Sequence, residues 1–263
     1  MELMNLLNSP RKMDVLKILK PDATRSYVEG ELKLTPSHLT QIIRDLERLG
    51  LVERKRDTIK VLPKGKIALE VHRVLLKFSR FFEKFGDLSN EFELADIPDW
   101  LISRFYELDS IEVIHNNENF VEPHRKFFSI TSSTSAIMGY TPVFFNEYVD
   151  FFLELAERGV KIDLIMTGEV FSRILSDFPR ELESGLSFDN VRLYVSRERY
   201  RFAFIVTDSH LLISFYLKTG VFDYMRDFVC RGNAVRWGND LFEFVRGNSE
   251  LIDRSKLNEL LRR

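Results

Sequence analysis

Nine side chains near the start of the chain have the chemistry to hold a nucleic acid. Ser37, His38, Thr40, Gln41 and Arg44 follow one another at spacings that share one face of a helix. Arg54, Lys55, Arg56 and Lys60 follow in a short basic segment. Serine, threonine and histidine can donate to phosphate oxygens. Glutamine and arginine can bind adenine and guanine edges through paired hydrogen bonds. Arg48 continues the same helix face. Because the first part of such a helix usually reaches the bases, Ser37, His38, Gln41 and Arg44 are favoured over it. The competing reading is an ordinary solvated helix face.

Positioning these groups requires a compact helical head. Ser9-Pro10 starts a helix, with serine as cap and proline where a missing N–H costs nothing. Met13, Leu16 and Leu19 give its apolar spacing, and Pro21 stops it. Thr24 caps a second helix through Leu32. Leu34-Thr35-Pro36-Ser37 is the turn into the third, whose buried stripe is Leu39, Ile42, Ile43, Leu46 and Leu49. Gly50 ends it. Residues 51–62 then read as a hairpin with its basic side chains near the tip. Three helices followed by a basic hairpin make a winged helix-turn-helix expected over residues 1–66.

Charge follows the same division. Residues 1–85 hold 18 Lys and Arg against 11 Asp and Glu, a net of +7, and the remaining residues carry −9. A basic head on an acidic body is the footprint expected of a DNA-binding module joined to a domain with another task.

Residues 67–108 read as linker and dimerisation helices. Ile67, Val71, Val74, Phe78, Phe81 and Phe85 form a heptad seam, widened by Ala68, Leu75 and Phe82. Pairing with a second copy through residues 67–85 would present two recognition helices to a two-fold-related site. The alternative is packing against the chain's own head or body. Asp96-Ile97-Pro98-Asp99-Trp100 is a connector opening a further helix from Trp100 to Leu108.

Beyond residue 108 strands alternate with helices, which argues an α/β layered domain over 109–263. Strands are expected at 111–114, 135–140, 160–166 and 191–195. A hairpin is expected from 201–206 and 211–217, turning at Asp208-Ser209-His210. Helices are expected at 144–158, closed by Gly159, at 169–178 and at 234–245. The fold class is therefore an α+β winged helix-turn-helix head, a linker helix and an α/β layered body.

The body carries few catalytic signals. There is no glycine-rich phosphate loop and no Gly-x-Ser-x-Gly elbow. Among the five histidines, His115 and His124 lie near Glu118 and Glu122, a spacing that matches no standard metal site. Cys230, the single cysteine, reads as a small buried hydrophobe. Ser132, Ser133, Thr134 and Ser135 form either a pocket lip or a capped loop. Candidate effector contacts are Tyr140, Thr167 and Gly168 near strand ends, with Arg201 and Lys218 as partners for an anion. No metal or other cofactor is expected. The chain shows no secretory signal and no membrane-length apolar run, so a cytoplasmic protein is expected.

The head, the strand entry Asp109-Ser110-Ile111-Glu112-Val113-Ile114 and the stretch from Arg199 to Phe215 together resemble archaeal winged-helix regulators of methanogenesis and filament formation. The resemblance covers nearly the whole chain. It implies a transcription regulator whose body senses a signal or mediates assembly. The body also looks distantly like the phospholipase D fold, which uses His-x-Lys-x4-Asp. In the nearest register Asp208 matches, but Arg201 stands in place of histidine and Ala203 in place of lysine, so that chemistry is not expected.

The function these observations imply is a non-enzymatic, dimeric, sequence-specific DNA-binding transcription regulator with a small-molecule effector domain. Two other classes stay open: an enzyme acting on a phosphodiester or nucleotide under a regulatory winged helix, and a winged-helix scaffold for RNA or protein.

Overall fold

A computed structural model of the chain describes residues 2–19, 23–55, 58–115 and 127–261. The chain divides into two compact units, Met1–Lys77 and Phe78–Arg263.

In the first unit, α1 (Glu2–Leu7) precedes α2 (Pro10–Ile18), α3 (Arg25–Leu32) and α4 (Pro36–Arg48). A two-stranded antiparallel hairpin follows, β1 (Val52–Lys55) and β2 (Thr58–Val61). The caps are local and legible. Thr24 accepts a hydrogen bond from the Tyr27 backbone N–H, and Thr35 accepts from that of His38. At the end of α4, Gly50 has φ +69°. Its N–H donates to Glu47 and that of Leu51 to Leu46, the paired bonds that close a helix around a left-handed residue. The strongly amphipathic α4 buries Leu39, Ile42, Ile43 and Leu46 against Met13, Val15, Leu16 and Val28. The Ile59 N–H donates to the Ala23 carbonyl, and Thr58 bridges to Thr24, so β2 is tied to the chain ahead of α3.

The helix α5 (Pro63–Phe85) carries the chain out of the first unit. Ala68 lies in the first unit's core, whereas Phe81 and Phe85 lie in the second's.

Among the described residues, the second unit is built on one mixed sheet of eight strands: β3 (Glu112–His115), β4 (Ala136–Thr141), β5 (Lys161–Thr167), β6 (Val191–Ser196), β7 (Phe202–Thr207), β8 (His210–Phe215), β9 (Arg226–Arg231) and β10 (Ser249–Ile252). Their spatial order is β10-β6-β5-β4-β7-β8-β9-β3. The pairs β4–β5 and β5–β6 are parallel, and the others are antiparallel. Period-two alternation sends side chains to two cores. Tyr140, Ile165, Phe204, Ile213 and Phe228 pack with Trp237 and Leu241 of the Asn233–Gly247 helix. Ile137, Leu164, Met166 and Leu193 pack with Leu155, Val170 and Leu182 of the helices Glu147–Glu157, Gly168–Asp177 and Pro179–Gly185. Gly139 is required by the close approach of β7. A Cβ there would run into the Phe204 carbonyl and the Ile205 side chain.

Several local expectations are corrected. The stretch from Trp100 to Leu108 is not one helix. A short α6 (Asp99–Ile102) ends at Ser103, and Phe105–Leu108 is a 3-10 turn. Arg104, at φ −108° and ψ 13°, leaves the helical region at the break. This rotation lets Leu101, Phe105 and Leu108 all reach the core, while Trp100 stays exposed. The Ser9 side chain makes no capping hydrogen bond; its carbonyl accepts from the Met13 N–H. Pro21 lies outside the described residues.

Candidate functional site

The α4 surface opposite its buried stripe is the first candidate site. Ser37, His38, Gln41 and Arg44 are exposed on it. Thr40 is half-buried and engaged. Its hydroxyl donates to the Pro36 carbonyl at 2.6 Å and accepts from the Arg25 guanidinium. Arg25 also donates to the Pro36 carbonyl and pairs with Glu29, so it pins the start of α4 to α3. Gln41 donates to Asp45 at 3.3 Å. The hydrogen bond from Lys12, at 2.6 Å, is the main reason the Asp45 carboxyl is held below its usual range. Arg44 has no ion pair among the described residues. A rigid, polar helix face with one uncommitted guanidinium is the arrangement that base-edge contacts need.

On the hairpin, Arg54 pairs with Glu47 of α4 at 3.0 Å, and Lys55 lies 3.6 Å from Glu53. Lys60 is exposed on β2. Arg56 lies outside the described residues, as do His124, Glu118 and Glu122. The Arg54–Glu47 pair ties the hairpin to the same helix that carries the polar face. Exposed pairs of this kind contribute only about 0.2–1 kcal/mol.

The seam of α5 divides along its length. Ile67, Val71, Leu75 and Phe82 are exposed, with Leu76 beside them. Phe81 and Phe85 are buried among Phe92, Phe105, Phe215 and Phe228.

The five candidate effector contacts meet different surroundings. Tyr140 is buried, and its hydroxyl accepts from the Tyr200 N–H at 2.9 Å. Burial pushes its phenol far above the ordinary value. Thr167 caps the helix that begins at Gly168, accepting from the Val170 N–H. Glu169 of that turn pairs with Arg199. Arg201 donates from its backbone N–H and its guanidinium to Asp96, at 2.7 and 3.0 Å, and lies 3.1 Å from Glu93. Lys218 is exposed and anchored by its backbone N–H on the Glu91 carbonyl. The polar groups of Tyr140, Thr167 and Arg201 already hold protein partners.

Asp208 has a structural occupation. Its carboxylate accepts from the Ser135 N–H at 2.7 Å and from the Ser135 and Thr134 hydroxyls at 2.9 Å. The backbone bond from Ser135 is the leading cause of its lowered pKa. The turn between β7 and β8 is fastened in this way to the entrance of β4.

Sequence reasoning missed a row of residues across one sheet face: Thr141, Ala203, Ser214 and Asp227. Ala203 pairs with Ser214 across β7 and β8. Tyr140 pairs with Phe204, and Ile213 with Phe228, which places Thr141 beside Ala203 and Asp227 beside Ser214. A signal was available, because Ser214 interrupts the apolar run Leu211-Leu212-Ile213 before Phe215.

Among the described residues, no helix is long and apolar enough to cross a membrane. None of their His, Cys, Asp and Glu side chains form a group of three or more that could hold a metal.

Comparison with known proteins finds similarity to a regulatory protein over part of its length. Residues 120–248 match the family model described as the methanogenesis regulatory protein FilR1, middle domain. The chain is similar to the methanogenesis regulatory protein FilR1 of Methanothrix harundinacea (strain 6Ac), at 27% identity over 262 residues. That alignment takes in 97% of this chain and 59% of the relative, so the chain spans about three fifths of the curated relative's length. A solved structure of TrmBL2, titled as an archaeal chromatin protein with a novel mode of DNA binding, covers 93% of this chain and 94% of its own. Its TM-score is 0.44 and its identity 12%.

Proposed function

We propose that the chain is a sequence-specific, DNA-binding transcription regulator whose first unit is a winged helix-turn-helix and whose second unit senses a small molecule. The observation that carries this reading is the exposed polar face of α4, with Ser37, His38, Gln41 and Arg44 standing over a fully buried stripe. The basic hairpin tied to that helix by Arg54–Glu47 supports it. So does similarity to a curated regulatory protein. In this reading α4 enters the major groove, Gln41 and Arg44 read base edges, and Arg54, Lys55, Arg56 and Lys60 neutralise phosphates. The exposed half of the α5 seam, Ile67, Val71 and Leu75, pairs with a second copy and doubles the site.

Two sets of variants test it. Replacing Arg54, Lys55 and Arg56 by alanine weakens binding to every DNA sequence and lowers the salt slope by up to about three. Replacing Arg44 by alanine costs about 1–3 kcal/mol at particular base pairs only and leaves the rest of the site's ranking intact. An unchanged affinity and salt slope in the triple variant removes the hairpin from the interface.

A further inference from the structure

Gln41 is exposed on the polar face of α4, but its amide is not free to turn over. A glutamine amide carries one acceptor oxygen and two N–H donors, and a half-turn exchanges its two ends. That half-turn decides what the side chain can read, because it swaps donor for acceptor. In this chain Gln41 Nε2 donates to Asp45 Oδ1 at 3.3 Å, one helical turn further along. A carboxylate only accepts, so the reversed amide would set oxygen against oxygen.

Asp45 is itself held in place. Lys12 of α2 donates to its Oδ2 at 2.6 Å, and the Arg48 guanidinium lies 4.0 Å from Oδ1. Lys12 and Asp45 are both half-buried, and the apolar faces of their helices pack in one core. The pair therefore joins two fixed elements rather than two mobile side chains. Both Asp45 oxygens are in use, which leaves Gln41 as the member of this network that faces outward. The neighbouring Thr40 is not a competing reader, because its hydroxyl is spent on Pro36 and Arg25.

With one N–H given to Asp45, Gln41 keeps one donor and one acceptor. Adenine presents the complement in the major groove, N7 as acceptor beside N6–H₂ as donor. Guanine presents two acceptors, N7 and O6, and would turn one of them toward the Gln41 oxygen. Cytosine offers a donor alone, and thymine an acceptor beside a methyl group. We infer that, where α4 enters the major groove as proposed above, Asp45 is a positioning residue that holds the Gln41 amide in the orientation that reads adenine. Lys12 serves the same end by holding Asp45.

Selection from random duplex DNA tests the inference, using the full chain and the variants Gln41→Ala, Asp45→Asn, Lys12→Met and Gln41→Ala with Asp45→Asn. The wild type should favour adenine at one position of the site by about tenfold. Gln41→Ala should lose that preference and no other. Asp45→Asn should lower it to about threefold or less, because an asparagine amide can face Gln41 with either end. Lys12→Met, which leaves the carboxylate in place but unanchored, should relax the same position in the same direction. In the Gln41→Ala background, Asp45→Asn should change the base preferences no further. A merely structural Asp45 would instead weaken every sequence alike, in both backgrounds. An adenine preference equal in wild type, Asp45→Asn and Lys12→Met overturns the inference and leaves DNA recognition by α4 standing. Loss of a base other than adenine in Gln41→Ala overturns it as well. A wild type with no base preference at any position overturns both readings.

Discussion

At Asp96, burial favours the neutral acid, but hydrogen bonds from the guanidinium and the backbone N–H of Arg201 outweigh it. The carboxyl therefore ends below its ordinary value of 3.8. A depressed carboxyl contributes stability that is fully present above the unfolded value and lost as pH falls through the folded one. Replacing Asp96 by asparagine should cost about 1.5–3 kcal/mol at neutral pH, the scale of a hydrogen bond to a charged group. The cost should shrink once wild-type Asp96 is itself protonated. Urea unfolding of both proteins at pH 7 and below pH 3 checks this; a gap that does not change with pH would contradict it. Arg201 illustrates why the partners of a polar residue in the body are hard to read from sequence. Its type and place at a strand entrance suggested an anion site, but its partners Asp96 and Glu93 lie more than a hundred residues away in sequence, and only the fold brings them in. Thr24, Thr35 and Gly50 were legible because a cap depends on neighbours within four or five residues.

Among the elements, α5 carries the clearest division of labour. Its heptad spacing was visible in sequence, yet spacing alone does not say which partner covers each turn. Phe81 and Phe85 were drawn into the second unit's aromatic core, and Ile67, Val71 and Leu75 were left outside it. If the exposed half pairs with a second copy, Val71→Glu with Leu75→Glu should produce a monomer by sedimentation, and the unfolding midpoint at low protein concentration should barely move. DNA affinity should fall with the loss of the second half-site. A variant that sediments like the wild type would remove α5 from the dimer. The strands were read well where they alternate or run apolar, as in β5, β7 and β8. Edge strand β10 and strand β9 were not read, because Ser249–Ile252 is short and β9 opens on the polar Arg226 and Asp227. Asp227 lines an aromatic cavity of the second unit. The pattern failed there because polar residues replace the core side chains that make a strand recognisable.

Across the whole molecule, the contrast between a basic first part and an acidic remainder was plain from residue counts, and the chain divides into two compact units, Met1–Lys77 and Phe78–Arg263. The eight-strand order was not legible. It depends on β7 returning antiparallel beside β4, a long-range pairing with no local signature beyond Gly139, whose missing side chain lets the strands close. Selection from genomic DNA asks what the first unit does for the whole chain. Fragments retained by the purified protein at near-physiological salt should be enriched in one motif, present as two half-sites about one helical turn apart. The enrichment should be lost at specific base pairs in Arg44→Ala. Retained fragments with the composition of the input, unchanged by that variant, would contradict sequence-specific recognition by α4.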